Sequence, residues 1–395
     1  MTSRRPELRL TKPLTSAIRA GHPWVYDRAA TRVSGCVSGD VVAIVNERGP
    51  VACGFIDPDS PIRARVLDLD PAAALDDGWV HARARAAAEL RATDPLLADC
   101  DAVRVLHGEN DRTPGLVIDL YAGVAVVVFD GAAAAAFWRP RLPAVLSGIA
   151  DGGLVMTSAW LRAVRGGGGA GEALVGTPPE LVQIDERGAR FEVDVRRGQK
   201  TGFFLDQRDN RSLVARHAAG ARVLNLFGYT GGFSVHAALG GAREVTTVDI
   251  AAPAIAAARR NFTASGIDAS AHAFAAVDAF DFLAQARADG RRWDLVIVDP
   301  PSFAPSERTR GRALGAYASI NALAADVCEP GGLLASASCS SHVTEPDFLG
   351  ALADAARQVG RPMRVRCLLG AASDHPILPA FPEGRYLKFA LADLA

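Results

Sequence analysis

The spacing of hydrophobic and polar positions changes along the chain and divides it into three parts. Residues 8–68 form short apolar, β-like runs separated by turn signals such as Gly39-Asp40 and Asp57-Pro58. This pattern predicts a small β-barrel. A helical periodicity follows at 79–90, and β-like stretches then lead to an alanine-rich helical segment at 132–138. We interpret this second part as a separate α+β module.

After two further β-like runs, at 181–185 and 189–195, strands and helices alternate to the C-terminus, which is typical of a doubly wound parallel sheet. The last two β-like runs, at 363–369 and 385–391, are joined without an intervening helix. Class I methyltransferases end in this way, whereas doubly wound dehydrogenases generally do not. The sequence therefore predicts an α/β protein with three domains. They are a β-barrel at 1–73, an α+β middle domain at 74–195 and a class I methyltransferase sheet at 196–395.

Charge and cysteine content narrow the possible classes of protein. The 395 residues carry 43 basic and 44 acidic side chains, so the whole molecule is not a basic body that binds nucleic acid indiscriminately. Positive charge is concentrated in two basic patches, 1–35 and 196–216, which predict RNA contact; a solvated surface without RNA is the alternative. The six cysteines form no CxxC pair and no cluster with ligand spacing, so we expect no metal site and a reducing compartment.

Two further segments bear on location and ligands. The N-terminus lacks the apolar core of a signal peptide, and the longest strongly apolar run, near 124–129, is too short to span a bilayer. We therefore expect a cytoplasmic protein without membrane association. The glycine-rich segment 166–171 has no strand before it and no Lys-Ser/Thr after it, which favours a surface loop over a phosphate site.

Candidate cofactor-binding residues follow the first strands of the doubly wound part. The run 222–226 leads into the glycine-containing turn Phe227–Gly231, where the backbone can approach a ligand and the following helix offers unpaired N–H groups. Asp249 closes the next strand, where a carboxylate can bind both ribose hydroxyls of a nucleoside cofactor. Asp278 follows the third strand and could accept from an adenine amino group; an N-cap role is the alternative.

The fourth and fifth strands bring a carboxylate and a cysteine to the same edge of the sheet. Asp299-Pro300-Pro301 ends the fourth strand, and the prolines fix the backbone where such sheets bind ligands. Cys339 ends the fifth. A cysteine beside a base-binding carboxylate suits methylation of pyrimidine carbon 5, because that carbon becomes nucleophilic only after a thiolate adds to carbon 6. We interpret Cys339 as a nucleophile, and Cys328, in a helical pattern, and Cys367, in a late strand, as core residues.

These motifs together resemble the family of S-adenosylmethionine-dependent ribosomal RNA large-subunit cytosine-C5 methyltransferases that join a PUA domain to a class I methyltransferase domain. The resemblance covers nearly the whole chain. The motifs that carry it are Gly21-His22-Pro23-Trp24-Val25-Tyr26, Ser60-Pro61-Ile62-Arg63-Ala64-Arg65, His107-Gly108-Glu109-Asn110-Asp111, Pro114-Gly115-Leu116, Lys200–Arg208, Asn225–Gly232, Asp299-Pro300-Pro301, Ser338-Cys339-Ser340, and the tail from His375-Pro376 to Tyr386-Leu387-Lys388.

The resemblance implies an enzyme that forms 5-methylcytidine in large-subunit ribosomal RNA, free or in an assembly particle, with S-adenosylmethionine as cofactor. It implies that Cys339 is the nucleophile and that Asp299 binds the cytosine edge and helps to protonate nitrogen 3. The oligomeric state stays open, with a homodimer as one option. The implied cofactor pocket consists of Phe227, Gly228, Tyr229, Thr230, Gly231, Asp249, Asp278 and Asp299, with Lys200, Phe204 and Gln207 in its outer wall.

Two parts of this chemistry are not assigned by the sequence. A free thiol has a pKa of about 8.5, so Cys339 needs an activator at neutral pH. Ser302 stands where the broader class of RNA cytosine-C5 methyltransferases often has a second cysteine, and the base that removes the carbon-5 proton is also unassigned. The target cytosine must be unstacked, which costs less in a loop than in a duplex.

Other functions stay open on the residues alone. An amino-group methyltransferase would hold an exocyclic nitrogen at Asp299 and stack the base on Phe303, without needing Cys339. An RNA-binding or ribosome-assembly factor would bind the cofactor without turnover. A nicotinamide dehydrogenase is disfavoured by Asp299-Pro300-Pro301 and by the closing strand pair. His375 is either catalytic or a loop-packing residue.

Overall fold

A computed structural model describes residues 5–163, 171–304 and 306–395. Arg4 of the first basic patch and most of the glycine-rich segment 166–171 therefore lie outside the described residues. The chain forms two compact units. Unit 1 comprises Met1–Ile184, Val193–Leu205 and Ser373–Gly384, and unit 2 comprises Asp185–Glu192, Asp206–Ala372 and Arg385–Ala395.

The first sheet of unit 1 confirms the predicted β-barrel. Its strands are β1 (Glu7–Arg9), β2 (Trp24–Tyr26), β3 (Val41–Asn46), β4 (Gly49–Ile56) and β5 (Ile62–Asp68), with the short helix α1 (Thr15–Arg19) after β1. They are ordered β1-β3-β4-β5-β2. An isolated bridge between Leu10 and Ala30 joins the chain just after the two edge strands and so closes the sheet on itself. Its interior is apolar, with Leu8, Ile44 and Val25 fully buried.

The second part of unit 1 is an α+β module around a five-stranded sheet of order β10-β9-β8-β7-β6. The strands are β6 (Ala102–His107), β7 (Leu116–Tyr121), β8 (Val124–Phe129), β9 (Ser158–Leu161) and β10 (Glu172–Val175), and the helices are α2 (Asp77–Ala92), α3 (Ala132–Trp138) and α4 (Leu142–Asp151). The helix α2 begins where the Asp76 side chain accepts a hydrogen bond from the Trp79 N–H at 2.9 Å. Phe55 of the barrel stacks on Phe137 of this module, so the two parts share a core.

A β-hairpin follows, formed by β11 (Leu181–Glu186) and β12 (Ala189–Asp194). The division between the two units falls within this hairpin, because its tip, Asp185–Glu192, belongs to unit 2. The three predicted domain boundaries stay a prediction.

Unit 2 contains the predicted doubly wound sheet. Within the described residues it has seven strands in the order β15-β14-β13-β16-β17-β19-β18, of which β19 alone runs antiparallel to its neighbours. The strands are β13 (Arg222–Leu226), β14 (Glu244–Asp249), β15 (Ala273–Ala276), β16 (Trp293–Val298), β17 (Cys328–Ser338), β18 (Met363–Leu369) and β19 (Lys388–Leu394). The helices are α5 (Arg208–Arg216), α6 (Gly232–Leu239), α7 (Ala252–Ala264), α8 (Ala279–Ala288), α9 (Arg310–Asp326) and α10 (Glu345–Val359).

The predicted closing pair of strands is confirmed, with β19 inserted between β17 and β18. The core of the sheet is apolar, since Leu224, Val296 and Leu334 of the central strands pack with Leu283 of α8 and Ile320 of α9. This fold is a class I methyltransferase sheet.

The interpretation of two cysteines needs correction. Cys328 is buried as predicted, but it begins β17 and does not lie in a helix. The helix before it, α9, ends at Asp326, and the distant Arg361 binds the carbonyls of Ala325 and Cys328 at this end, at 2.5 and 2.6 Å. Cys367 is half-buried, not a core residue, because β18 lies at the edge of the sheet and is exposed along most of its length.

The second basic patch, 196–216, is not a continuous charged surface. Arg208 and Arg211 are 0% and 2% exposed and surround the buried carboxylate of Glu186. In the first patch, Arg5 binds the carbonyls of Pro71 and Ala73. Linear counting of charge missed these partners because they are distant in the sequence. No helix within the described residues is long and apolar enough to cross a membrane.

Candidate active site

The candidate active site of unit 2 lies at the carboxyl ends of four neighbouring strands. The strands β14, β13, β16 and β17 are adjacent and parallel. The loops that follow them therefore emerge at one edge of the sheet. These loops begin at Phe227, Ile250, Asp299 and Cys339. The topology thus brings together residues that are separated by up to 112 positions in the chain.

The loop Phe227–Gly231 after β13 has an unusual backbone. Phe227, Tyr229 and Gly231 have φ values of 57°, 46° and 83°, in the left-handed region that favours glycine. A Cβ atom at Gly228 would lie 2.6 Å from Cγ2 of Thr247, so a side chain does not fit there. This conformation turns the chain sharply between β13 and α6, and it presents the N-terminal turn of α6 at the edge of the sheet.

A buried polar network supports this loop from below. The side-chain amide of Asn225 on β13 donates to Ser234 Oγ on α6 at 2.9 Å, and Thr247 Oγ1 on β14 lies 2.8 Å from the same oxygen. Asn261 of α7 is fully buried and donates to the carbonyl of Thr230 at 2.8 Å. Its own carbonyl oxygen accepts from the backbone N–H of Glu192 at 2.9 Å. The sequence analysis missed these supporting residues, because nothing in the local pattern distinguishes them.

Asp249 stands at the end of β14, beside this loop. One carboxylate oxygen accepts from the N–H of Tyr229 at 2.9 Å, and the other from the N–H of Ala251 at 2.9 Å. Each oxygen keeps a second lone pair for a further donor. The next residue, Ile250, is apolar and yet 73% exposed. A carboxylate acceptor, a helix start and an exposed apolar side chain fit the ribose, the charged part and the base of a nucleoside cofactor.

The structure shows Asp278 in the N-cap role that the sequence left open as an alternative. It is the N-cap of α8, and its Oδ1 accepts from the N–H groups of Phe280 and Asp281 at 2.8 and 3.3 Å. This hydrogen bonding starts the helix. Contact of Asp278 with a cofactor stays a prediction.

Asp299 and Gln207, which the sequence predicts as site residues, lie together. The amide of Gln207 donates to Oδ2 of Asp299 at 3.0 Å, and its oxygen accepts from Asn210 at 2.6 Å. Gln207 and Asn210 are 3% and 0% exposed. These buried hydrogen bonds restrict the Asp299 carboxylate at the position where β16 ends.

Cys339 lies next to the same β16 loop. Its Sγ is 3.9 Å from the carbonyl oxygen of Pro300, the residue after Asp299. The neighbouring Ser340 is buried, and its hydroxyl lies 2.8 Å from Ser302 Oγ and 3.1 Å from the hydroxyl of Tyr317. The structure therefore brings the predicted nucleophile and the predicted base-binding carboxylate together on adjacent loops.

Lys388 is a charged residue at this edge whose role the sequence analysis did not identify, although it lies in a motif of the resemblance. It begins β19, is 4% exposed, and donates to the carbonyls of Ser340 and Tyr386 at 2.6 and 2.8 Å. Burial lowers the pKa of Lys388 to about 8, while Cys339 and Asp347 act in the opposite direction. The signal that could have identified it is its rarity, since only Lys12, Lys200 and Lys388 are lysines in this arginine-rich chain.

Lys200 and Phe204, predicted in the outer wall, belong to unit 1. The Lys200 ammonium lies 4.5 Å from the centre of the Phe204 ring. Their loop is anchored on β7, where the Tyr121 hydroxyl lies 2.7 Å from Thr201 Oγ1 and accepts from the N–H of Phe203 at 3.3 Å. The contribution of Lys200 and Phe204 to a cofactor pocket stays a prediction.

His375, also in unit 1, is a packing residue in this structure. It is 4% exposed, its Nδ1 lies 2.7 Å from Asp374, and its ring contacts the ring of His107 edge-on. Asp374 in turn accepts from the backbone N–H of Arg104 at 2.9 Å. These contacts favour the loop-packing alternative over a catalytic role.

Comparison with known proteins agrees with this fold. The family description of S-adenosylmethionine-dependent methyltransferases matches residues 160–373, and that of PUA-like domains matches residues 8–69. Among solved structures, a methyltransferase complexed with SAH superimposes with a TM-score of 0.86 at 21% identity, covering 98% of this chain and all of that one. A SAM-dependent methyltransferase from Streptococcus mutans gives a TM-score of 0.85 at 22% identity, with the same coverage. The fold and cofactor are thus those of a class I methyltransferase that uses S-adenosylmethionine.

Curated relatives define the family more narrowly. The ribosomal RNA large subunit methyltransferase of Deinococcus radiodurans is 41% identical over 97% of this chain and 96% of its own length. Proteins named ribosomal RNA large subunit methyltransferase I are 38% identical in Aeromonas salmonicida, over 96% of this chain and 97% of theirs, and 35% identical in Klebsiella pneumoniae, over 97% of both. The chain belongs to this family of PUA-containing ribosomal RNA large-subunit methyltransferases.

Proposed function

We propose that this protein methylates carbon 5 of a cytosine in large-subunit ribosomal RNA, with Cys339 as the nucleophile. The observation that carries the proposal is the position of Cys339 Sγ, 3.9 Å from the carbonyl of Pro300 and thus beside the loop that begins with Asp299. A cysteine at this place in a methyltransferase has a chemical use only if the target atom must first be activated. The similarity to relatives named ribosomal RNA large subunit methyltransferase supports large-subunit ribosomal RNA as the substrate class.

Residues of unit 2 can bind the cofactor, bind the base and form the covalent bond that this reaction requires. S-adenosylmethionine supplies a methyl group on a positively charged sulfur. Asp249 and the Phe227–Gly231 loop would bind its nucleoside part, since they offer a carboxylate and a helix start. Asp299, held by Gln207 at 3.0 Å, would bind the polar edge of the cytosine. This division of roles leaves Cys339 to form the covalent bond.

The proton and bond changes follow from these roles. The thiolate of Cys339 adds to carbon 6 while a proton carried by Asp299 passes to nitrogen 3, which makes carbon 5 nucleophilic. Carbon 5 takes the methyl group and then loses its hydrogen as a proton to water. The sulfur–carbon 6 bond breaks, the carbon 5–carbon 6 double bond re-forms, and the nitrogen 3 proton returns to Asp299. One proton is released per methyl group transferred.

The packing of Phe303 favours this reaction over amino-group methylation. In the amino-group alternative, the ring of Phe303 would stack on the target base. In the structure Phe303 is half-buried and contacts the ring of Tyr317, with a centroid distance of 4.9 Å. A ring that is engaged in the core has less surface to offer a base. The cysteine mechanism does not depend on Phe303.

The substrate that we propose is RNA in which the target cytosine is unpaired, as in a loop or a partly assembled particle. Unstacking a base from a duplex costs a few kcal/mol, and less where the base is already single-stranded. Because ribosomal RNA of bacteria is in the cytoplasm, the proposal also places the protein there.

The test is transfer of labelled methyl from S-adenosylmethionine to unmodified large-subunit ribosomal RNA, followed by nucleoside analysis. We expect 5-methylcytidine with the wild type and none with Cys339→Ala. Cys367→Ala is the matched control, because Cys367 is half-buried in β18 of the same sheet, and it should retain activity. A methylated amino group, formed also by Cys339→Ala, would contradict the cysteine mechanism. Cofactor binding without any methyl transfer would instead indicate an assembly factor.

A further inference from the structure

Lys388 places a buried positive charge beside the loop that carries Cys339. In the antiparallel pairing of β17 with β19, Lys388 lies opposite Ser338, the residue before Cys339. Its Nζ donates to the carbonyl of Ser340, the residue after Cys339, at 2.6 Å. Lys388 therefore contacts the backbone on both sides of Cys339: its own backbone pairs with Ser338, and its ammonium binds the carbonyl of Ser340. Cys339 also acts to raise the pKa of Lys388, against the effect of burial.

This placement is costly for a lysine that has only a structural role. An ammonium that leaves water loses much of its hydration energy, and two neutral carbonyls at 2.6 and 2.8 Å replace only part of it. Asp347 is a carboxylate that acts on Lys388, and it is itself bound by Arg310 at 2.5 Å. The Lys388 ammonium is therefore not fully neutralised, and it can stabilise a negative charge that forms beside it. The thiolate of Cys339 is such a charge.

We propose that Lys388 is a positioning residue that orients Cys339 and favours its thiolate form. This inference rests on the proposed function and supplies the activator that the cysteine mechanism requires. The Cys339 thiol loses its proton to solvent, and the resulting thiolate is paired with the Lys388 ammonium until it attacks carbon 6 of the base. A compact ammonium suits this role, because it can direct one donor to each carbonyl and keep a third for the sulfur.

Other titratable and charged groups also face this position. Tyr317 on α9 interacts with Cys339, but burial raises the pKa of Tyr317, so it remains a neutral phenol at neutral pH. Asp347 and Arg310 neutralise one another across α9 and α10. Asp299 begins the neighbouring loop and would disfavour a thiolate when it is ionised, and His342 follows in the same loop as Cys339. Lys388 is the group that can offset the effect of Asp299.

The experiment measures the ionisation of Cys339 directly, without RNA. The full-length protein is alkylated with iodoacetamide between pH 5.5 and 9.5, and the modified peptides are quantified by mass spectrometry. Cys367 serves as an internal reference within the same unit. In the wild type, the midpoint for Cys339 should lie about one pH unit below that for Cys367. A midpoint equal to or above that of Cys367 would overturn the proposal without any variant.

The variants separate charge from packing. Lys388→Met keeps the length and loses the charge, and it should raise the Cys339 midpoint by about one unit and slow alkylation at pH 7 about tenfold. Lys388→Arg keeps the charge and should retain most of the wild-type midpoint. The Cys367 midpoint should not change in either. An unchanged Cys339 midpoint in Lys388→Met, or an equal shift in both variants, would overturn the role of the charge.

The outcomes also separate this inference from the proposed function. If Cys339→Ala still forms 5-methylcytidine, the proposed function fails, whatever the alkylation profile shows. If Cys339→Ala is inactive but Lys388→Met leaves the Cys339 midpoint unchanged, the proposed function stands and this inference fails. Loss of methyl transfer in Lys388→Met, with cofactor affinity retained and activity partly rescued at higher pH, would support both.

Discussion

Glu186 is the centre of a buried charge cluster in unit 2. Its carboxylate accepts two hydrogen bonds from Arg211 at 2.7 Å, lies 3.0 Å from His236 Nε2, and is 3.4 Å from Arg208 Nε. Burial alone would raise the pKa of Glu186, but Arg211 and His236 more than offset this and lower it. The carboxylate is therefore charged at neutral pH. Removing that charge would leave two arginines buried without their shared partner.

We expect Glu186→Gln to lower the free energy of unfolding of unit 2 by about 3–5 kcal/mol, the usual effect of breaking a buried ion pair. Urea unfolding followed by circular dichroism at pH 7 measures this. Glu192→Gln is the matched control, because Glu192 lies in the same hairpin but pairs with the exposed Arg260, and it should cost less than about 1 kcal/mol. Equal effects of the two variants would contradict the importance of the cluster.

Exposed basic residues in the barrel stay candidates for RNA contact. In contrast to Arg5, the side chains of Lys12 and Arg19 are exposed and lie in the described part of the first basic patch. A surface cation near RNA replaces a condensed counterion, so its loss changes both the affinity and the salt dependence.

We expect Arg19→Glu to weaken binding of large-subunit RNA several-fold at low salt and to reduce the salt slope by about one. Arg364→Glu, at an exposed position of β18, should leave both unchanged. Filter binding over a range of salt concentrations measures the two quantities. If Arg19→Glu and Arg364→Glu behave alike, the barrel patch does not contact RNA.

At the scale of elements, α10 is fixed at its N-terminus by local and distant contacts. Thr344 and Asp347 form a capping box, in which each side chain bonds the backbone of the other residue. This part is visible in the sequence as Thr-x-x-Asp before a helical pattern. The bidentate pair of Arg310 with Asp347 is not visible, because it joins α9 to α10.

We expect Thr344→Ala to lower the free energy of unfolding by about 1 kcal/mol, because one orphan N–H of the helix loses its partner. Thr344→Ser keeps the hydroxyl and should restore most of the stability. Thermal and urea unfolding provide the measurement. An equal loss in the serine and alanine variants would show that the methyl group, which both variants lack, is responsible and the cap is not.

The ion pair of Arg310 with Asp347 also predicts that the stability of the fold decreases at acid pH. The hydrogen bond from Arg310 lowers the pKa of Asp347 from 3.8 to about 2. A carboxylate with a lowered pKa binds protons more weakly in the folded state, so its stabilising effect is present above pH 4 and is lost as the pH falls to about 2. In Arg310→Met this decrease in stability between pH 4 and 2 should be smaller than in the wild type. Unfolding curves at pH 4, 3 and 2 measure it.

At the scale of the whole molecule, the barrel and the α+β module of unit 1 are parts of one structure. Beyond the stacking of Phe55 on Phe137, Arg65 of β5 pairs with Glu109 and with Asp130 at 2.7 Å. Trp24 of β2 donates to the same Glu109 carboxylate at 2.9 Å. The motifs at 21–26, 60–65 and 107–111 thus meet in a partly buried network between the two sheets.

We expect a protein that begins at residue 74 to lose solubility, because it would expose the side of the module that packs on Phe55 and Leu67. Expression yield and size-exclusion chromatography of residues 74–395 test this. Removing only residues 1–4, which precede β1, is the control and should be tolerated. A monodisperse 74–395 fragment with normal cofactor affinity would instead support the boundary at 73/74 as an independent domain border.

The sequence by itself determined the fold class and the chain order of the strands in the doubly wound part. Periodicity placed β13 at the residues the structure has, located the closing strand pair, and identified Asp249, Asp299 and Cys339 as ends of neighbouring strands. These features follow from local spacing and from the rule that parallel strands end at one edge. Tertiary structure alone decided the partners. Glu186 pairs with buried arginines that linear counting assigned to a surface, and Arg361 binds a carbonyl at the end of α9. Gln207 binds Asp299, and Lys388 binds the loop of Cys339. Such contacts join residues 22 to 92 positions apart. A local pattern does not determine them, because their energy arises only when burial removes the charged or polar group from water.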